Sequence, residues 1–486
     1  MSPTPRRHVA LATLAVVLVA WPSLAGAATA APTWQAARVA TLPSGAKGIP
    51  QGYLPTLACP ATGNCVAAGI YADASGKPQG LLLTELNGQW SPPVTIRPPR
   101  DAATAPGTTP NASACGAVGS CTVVGAYQLA SGDTQPFIVD DVGGHWRAAF
   151  RPSLPSDALT TGQTAQLRAV ACASVGNCTA VGTYDTSASI PALSGFAVSE
   201  VNGTWGNSTE LSAPAGANVN PFLVISQVSC ASNGDCSAIG TYLDNQNVQH
   251  GVVVNEVGGV WQPAEPVTPP ANASLYAHVT LSALTCTGPG TCTAVGTYYD
   301  HAGATQVFAT HEVGGVWSAG LPVAMPTNAG VNPKAFFYGY VDLACVTATT
   351  CSAGGQYRNR SGLYEGFIVD EVGGVWQRAV ELTLPTGGSA AGKNGGVVAL
   401  SCVSVGNCRA GAAYLDAAGR YQAAVASQVN GVWHAATKIT LPGHASSVGV
   451  DGGVYALICH ADNRCVATGS YLANATEYQG FTVATA

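Results

Sequence analysis

Only 9% of the 486 residues are charged, against about 25% in an average soluble protein, and the net charge is −6. An acidic chain with so few cations argues against nucleic acid or an anionic membrane as its main partner. So little charge also leaves few surfaces that water alone can cover, so large faces must be covered by other parts of the protein.

In chain order, residues 1–27 read as a secretory leader. Arg6 and Arg7 form a positive start, Val9 to Ala20 is apolar but too short to span a bilayer, and Ala25-Gly26-Ala27 offers a cleavage site. The arginine pair is compatible with a twin-arginine route, although the general secretory route is the expectation. No later stretch has the length and apolarity of a membrane helix, so the mature chain, 28–486, is expected to be soluble, extracellular and not inserted in a membrane.

The mature chain is one repeat told eight times. Cysteine pairs spaced C-x5-C stand at Cys59/Cys65, Cys115/Cys121, Cys172/Cys178, Cys230/Cys236, Cys286/Cys292, Cys345/Cys351, Cys402/Cys408 and Cys459/Cys465, which uses all 16 cysteines. Successive pairs lie 56 to 59 residues apart, and tryptophans from Trp34 to Trp433 keep the same beat. In an exported chain such pairs read as disulfides, and the spacing is a poor match to zinc ligands.

Within the unit around Cys286, Val279 to Cys286 alternates and Thr287 to Thr291 has turn chemistry. Cys292 to Tyr299 is rich in β-formers, and Thr305 to Val313 is a third run. Gly314-Gly315 then turns the chain into a fourth run opened by Val316-Trp317. Asn-Gly or Gly-Gly joins the third and fourth runs in every complete unit, as a type I′ hairpin turn requires. The cysteine pair would staple the first hairpin. Repeated units of four strands predict an all-β, eight-bladed β-propeller, with both faces of each blade buried and the tryptophan between blades. The chain opens with a lone fourth strand, Trp34 to Leu42, and closes with a unit of three strands. The first strand is therefore expected to complete the last blade and close the ring, which removes two exposed edges.

The third-to-fourth hairpin resembles the Asp-box of sialidase-like propellers, S/T-x-D-x-G-x-x-W. Thr310, Glu312, Gly314 and Trp317 fit it with Glu for Asp, and Glu85, Asp141, Glu200, Glu256 and Glu371 hold the acidic position while Gln428 does not. The resemblance implies a structural element distant from any active site. The fuller pattern, Cys172 to Tyr184 followed by Glu200 to Trp205, is similar to repeats of secreted actinobacterial proteins of uncharacterised function. It implies fold and export and no activity.

Catalytic constellations are absent from the sequence. Arg168 is the only arginine placed on a first strand, so the arginine triad of a sialidase is missing. The histidines have no metal-ligand spacing, and neither a metal nor a cofactor is expected. Asp342, on a first strand, and Asp451, just before one, are the carboxylates placed near the channel. The recurring Tyr71/Asp73, Tyr242/Asp244, Tyr298/Asp300 and Tyr414/Asp416 pairs read as turn signals.

Function is sought where the repeats disagree. The loop Asn328 to Tyr340 holds Lys334 and the cluster Phe336, Phe337, Tyr338 and Tyr340, which are the candidate ligand-binding residues. Tyr53, Phe222, Tyr276 and Tyr455 suggest a wider aromatic ring at the channel mouth. The sequence thus reads as a secreted, disulfide-stapled, monomeric propeller that binds an extracellular carbohydrate or protein, with binding favoured over catalysis. The alternative is a carbohydrate-active hydrolase or lyase with its site at the channel.

Overall fold

The computed structural model describes residues 32–47, 52–187, 192–330, 342–389, 395–443, 445, 452–473 and 477–486. Among these there is no helix, and the strands form eight antiparallel sheets. Each sheet is one blade, numbered here from the blade of Cys59. In blade 5, Thr280–Gly288, Thr291–Tyr299 and Thr305–Val313 are each nine residues long. The fourth strand is split into Val316–Trp317 and Leu321–Pro322, both pairing with Thr305–Val313. In blade 2 it is reduced to bridges at Trp146 and Phe150. The outermost strand is thus more fragmentary than the sequence pattern suggests, because it is paired on one side only.

The turns behave as their residues demand. Asn87 and Gly88 have φ of 50° and 77°, and Gly314 and Gly315 have 62° and 82°. Positive φ at both central residues is the I′ turn, cheap for Asn-Gly and Gly-Gly. Each such turn is held to the first hairpin of its own blade, as in Gly315 N to Gly290 O at 3.2 Å and Gly88 N to Gly63 O at 2.8 Å.

All eight cysteine pairs form disulfides across that first hairpin: Cys59–Cys65, Cys115–Cys121, Cys172–Cys178, Cys230–Cys236, Cys286–Cys292, Cys345–Cys351, Cys402–Cys408 and Cys459–Cys465. No cysteine is free. The pairs staple their own hairpins, and they also take part in the contacts between blades. The second cysteine of every pair, Cys65, Cys121, Cys178, Cys236, Cys292, Cys351, Cys408 and Cys465, is buried, whereas the first is half-buried except for Cys459, which is buried too. The reason is stacking: the second strand of a blade is covered on both faces by its neighbours. The second sulfurs of five blades face hydroxyls of the preceding blade. Thr122 lies beside Cys178 at 3.9 Å, Thr179 beside Cys236 at 3.6 Å, Ser237 beside Cys292 at 3.4 Å, Thr293 beside Cys351 at 3.8 Å and Ser352 beside Cys408 at 3.4 Å. Cys65, Cys121 and Cys465 pack in the apolar clusters of blades 1, 2 and 8. The bridges are therefore core residues between blades as well as cross-links within them. Eight closed bridges are the mark of a chain that matures in an oxidising compartment, in line with secretion.

The ring closes as the strand count requires. Arg38–Val39 pairs with Glu477–Ala484, and Trp34 bridges Thr485. The first strands pack side by side around the axis, including Tyr53–Ala61 of blade 1 against Gly453–Cys459 of blade 8. The core lies between blades. Ile239, Val253 and Val267 of blade 4 pack with Val279, Leu281, Tyr298 and Phe308 of blade 5, and Leu54, Leu57 and Leu81 of blade 1 meet Val466 of blade 8. Every blade therefore needs its neighbours, since both of its faces are apolar.

A polar seam joins the outer part of several interfaces, built by residues of the third-to-fourth hairpin. Trp317 Nε1 donates to Asn255 Oδ1 of the preceding blade at 3.2 Å, and Asn255 Nδ2 donates to Glu312 Oε1 at 2.7 Å. Trp146, Trp205 and Trp433 reach back in the same way to Thr84, Asp140 and Asp370. The tryptophan is thus an inter-blade residue, as expected, and in these blades its indole N–H has a partner. Arg409 of blade 7 is a variant of the seam: it is buried and donates to the carbonyls of Cys408 and Gln428 and to Asn463 of blade 8.

Burial raises the carboxyls of the seam acids Glu85, Glu256 and Glu312, and the largest of these shifts fall on Glu200 and Glu371. Burial, and then the nearby Asp140, push Glu200 up to about 7. Burial alone pushes Glu371 up to about 7, and burial lowers the neighbouring His311. His311 Nε2 lies 3.2 Å from Glu371 Oε1, but it accepts from Trp376 Nε1 at 3.4 Å, and Glu371 receives no hydrogen bond. Both shifts favour the uncharged forms, so this contact is a neutral pair and not a salt bridge. A carboxyl that keeps its proton longer in the folded state favours folding below its unfolded pKa. That stability is lost as pH rises through the folded value. The ring is therefore expected to lose stability between pH 4.5 and about 7, by roughly 3 kcal/mol for each such group. Blade 7 shows the remedy: Gln428 holds the acidic position and donates to Asp370 of blade 6 at 2.8 Å. Glu200→Gln should reproduce that bond to Asp140, raise the melting temperature at pH 8 and flatten its pH dependence. Thermal melts of both proteins from pH 4 to pH 8 check this, and parallel pH profiles would contradict it.

Candidate functional site

The first strands build the hub of the ring. Among the described residues, seven of these strands carry a β-bulge before the cysteine, at Leu167/Ala169, Ile225/Gln227, Leu281/Ala283 and Val454/Ala456 among others. The extra residue is re-aimed out of the ladder. The bulge also explains the glycine in the repeat pattern: a Cβ on Gly296 would sit 2.0 Å from the Thr280 carbonyl oxygen.

The bulged residues Ser226, Ser282, Val398 and Tyr455 line a cavity of about 550 Å³ at the hub, with Gln227 and Asp342 from the adjoining positions. The wall is made of hydroxyls, an amide, a phenol and one carboxylate, over an apolar base that includes Leu57, Leu281 and Leu457. Tyr455 is partly exposed, and its hydroxyl accepts a hydrogen bond from Ser470 Oγ at 3.3 Å, which fixes the ring at the wall. Gln227 Oε1 accepts from Leu284 N at 3.3 Å, and Ser226 Oγ donates to the Ile239 carbonyl at 3.3 Å.

Asp342 is the one carboxylate among the described lining residues. Its Oδ2 accepts from Leu400 N of blade 7 at 2.6 Å, so the side chain also ties two blades together. Burial pushes its carboxyl up to about 6, opposed by hydrogen bonds from the Leu343 and Leu400 amides. Arg168 and Asn111 occupy bulges in blades 3 and 2 and do not line this cavity. Arg168 is near Thr183 Oγ1 at 3.5 Å, and Asn111 Nδ2 donates to the Leu167 carbonyl at 2.7 Å. Three further concavities among the described residues, of about 460, 330 and 260 Å³, are grooves along blade seams, lined by scaffold residues such as Trp433, Asp370 and Glu312.

The sequence candidates divide three ways. Lys334, Phe336, Phe337, Tyr338, Tyr340, Asp451 and the leader lie outside the described residues. Of the four Tyr/Asp pairs, the aspartates are turn residues: Asp300 Oδ1 accepts from Ala302 N and Ala304 N, both at 2.9 Å, and Asp73, Asp244 and Asp416 do the same, whereas Tyr71, Tyr242, Tyr298 and Tyr414 are buried strand residues of the core. Tyr455 faces the cavity, whereas Tyr53, Phe222 and Tyr276 are exposed but do not line it. The reason is register, since only Tyr455 falls on the bulge. The disulfide cysteines are scaffold, and none of them lines the hub. Ser226, Ser282 and Gln227 were missed, because small polar residues on a strand carry no signal until the bulge is located. No group of three or more His, Cys, Asp or Glu able to hold a metal occurs among the described residues.

No protein-family model matches the chain, and no curated protein matches it. Among solved structures it is similar to an ulvan lyase described as a new family of polysaccharide lyase, at 10% identity over 90% of this chain and 94% of that one, with a TM-score of 0.43. It is also similar to a protein of unknown function from Dyadobacter fermentans, at 12% identity over 93% and 99%, with a TM-score of 0.37. An α-L-arabinanase from Penicillium chrysogenum matches at 12% identity over 70% and 99%, with a TM-score of 0.37.

Proposed function

We propose that this chain is a secreted, non-catalytic binding module that seats an uncharged, hydroxyl-rich carbohydrate at the hub of the propeller. The observation that supports this reading is the composition of the cavity wall: Ser226, Gln227, Ser282 and Tyr455 around a single carboxylate. Hydroxyl and amide groups exchange hydrogen bonds with sugar hydroxyls, and a fixed tyrosine ring offers a face on which a pyranose can stack. Hydrolysis of a glycosidic bond ordinarily needs two carboxylates, about 5–9.5 Å apart. The described wall supplies one, and that one is engaged by the Leu400 amide.

A second reading, a hydrolase or lyase, is favoured by one observation. Asp342, held at about 6, retains a proton where an ordinary aspartate has lost it, as a general acid must. A glycan array on the mature protein, followed by incubation of each retained glycan with the protein, separates the two. Retained glycan recovered intact is the expected result. Cleaved or unsaturated products would replace the binding reading with the enzymatic one, and Asp342→Asn should then abolish them. Including Phe337→Ala and Tyr338→Ala tests the loop candidates, which are expected to weaken retention.

A further inference from the structure

The two faces of the ring differ sharply in charge. One face is formed by the first-to-second and third-to-fourth hairpin turns, which hydrogen-bond to each other within each blade. Blades present these turns at one level: Cys286 N donates to Ser229 Oγ and Cys459 N to Ser401 Oγ, so cysteine ends lie beside their neighbours. Among all the residues of these turns, only Asp235, Asp462 and Arg464 are charged, and Asp462 and Arg464 neighbour each other at 3.9 Å. The opposite face carries the acidic turns of Asp73, Asp244, Asp300 and Asp416.

The face with few charges also exposes apolar side chains. Val257 and Val260 of blade 4, Val313 and Val316 of blade 5, and Val372 and Val375 of blade 6 flank their Gly-Gly turns, and all are more than half exposed, Val313 at 73%. The equivalent residues of other blades are also exposed, Leu86 at 41%, Val142 at 48%, Val201 at 51% and Val432 at 58%, so an apolar position recurs from blade to blade on this face, and exposed apolar surface that recurs in this way marks an interaction site. A stable interface needs about 800 Å² from each partner.

We infer that this face is the interface of a two-fold dimer, in which a second copy of the chain is stacked hairpin face to hairpin face. The valine pairs recur once per blade along an arc, so the partner must repeat at the same spacing, and another copy of this ring does. The contact is isologous, with the same patch on both sides, and a face almost free of charge meets itself without like-charge repulsion. The alternatives fit less well. An anionic membrane needs a basic surface, and a lipid interface is normally marked by Trp, Tyr, Lys and Arg. The described turns contain no aromatic residue except His145 and His460, so stacking on a glycan is not supported on this side. The assembly replaces the monomer expected from the sequence, and it leaves the loop face of both rings open.

Sedimentation of the full mature protein between about 1 and 100 µM should give twice the chain mass, in the range where interfaces of this size associate. Val316→Lys combined with Val375→Lys places two charges per copy in exposed turns where folding is not at stake. It should raise the dissociation constant at least a hundredfold with an unchanged far-ultraviolet spectrum. Leu275→Lys, at a fully exposed site outside these turns, should leave the dimer intact. A wild-type monomer at every concentration would overturn the inference, as would an unchanged dimer in the double lysine variant. Wild-type monomer that co-sediments with phosphatidylcholine vesicles would overturn it too, and assign the face to a lipid surface.

Discussion

Full reduction of the eight disulfides is expected to unfold the ring at room temperature. Each bridge closes a loop of seven residues, from Cys286 to Cys292 for example, and such a loop is worth about 2 kcal/mol on the chain-entropy model. Eight of them, even if only partly additive, are comparable with the roughly 5–15 kcal/mol that holds a domain together. The core cannot readily make up the loss, because many buried positions are alanine, such as Ala67, Ala180, Ala294, Ala410 and Ala467, and each buries little apolar area. Far-ultraviolet dichroism and thermal melts with and without reductant read this out. A single Cys286→Ala/Cys292→Ala variant should stay folded and melt a few degrees lower. A reduced protein that still melts cooperatively near the oxidised temperature would show that the staples are incidental.

The second large effect is at the closure. A chain lacking residues 32–42 loses the strand Arg38–Val39 and the bridge from Trp34 to Thr485. It also loses Ala37 and Ala40 from the core, and the backbone bonds from Ala37 N to the Thr440 carbonyl and from Ala40 N to the Gly480 carbonyl. The strand Glu477–Ala484 becomes an open edge beside a gap between blades 8 and 1. We expect loss of several kcal/mol, on the scale of a removed core element, and association through the exposed edge. Melting and light scattering measure both. A synthetic peptide of residues 32–42 added in trans should restore the fold and raise the melting temperature. A truncated chain as stable as the complete one would contradict the closed ring.

The ring was legible because each of its parts is written eight times. Cysteine spacing, Asn-Gly and Gly-Gly turns and the phase shift between Trp34 and Gly480 are local signals, and repetition removes their ambiguity. The polar seam was half legible. The repeated Glu and Trp announced a structural role, but their reach into the preceding blade depends on the stacking angle of two sheets, which no single repeat encodes. The same holds for the sulfurs: the pairing of Cys172 with Cys178 is local, whereas the burial of Cys178 against Thr122 is set by the blade before it. The hub was the least legible. Ser226 and Ser282 matter only because a bulge turns them out of the ladder, and Tyr455 differs from Tyr53 by a shift in register that the eye reads as equivalent. The low charge of the hairpin turns was visible residue by residue, yet its meaning depends on all those turns sharing one face.

The central claim, that the hub binds an uncharged carbohydrate without cleaving it, is tested most directly by calorimetric titration of a glycan selected on the array into wild-type protein and into Tyr455→Ala. Loss of one stacking tyrosine should weaken binding at least tenfold, which is about 1.4 kcal/mol. The wild-type trace should return to baseline after each injection, as binding alone requires. Equal affinity in the two proteins, or a sustained heat of turnover in the wild type, would contradict the account.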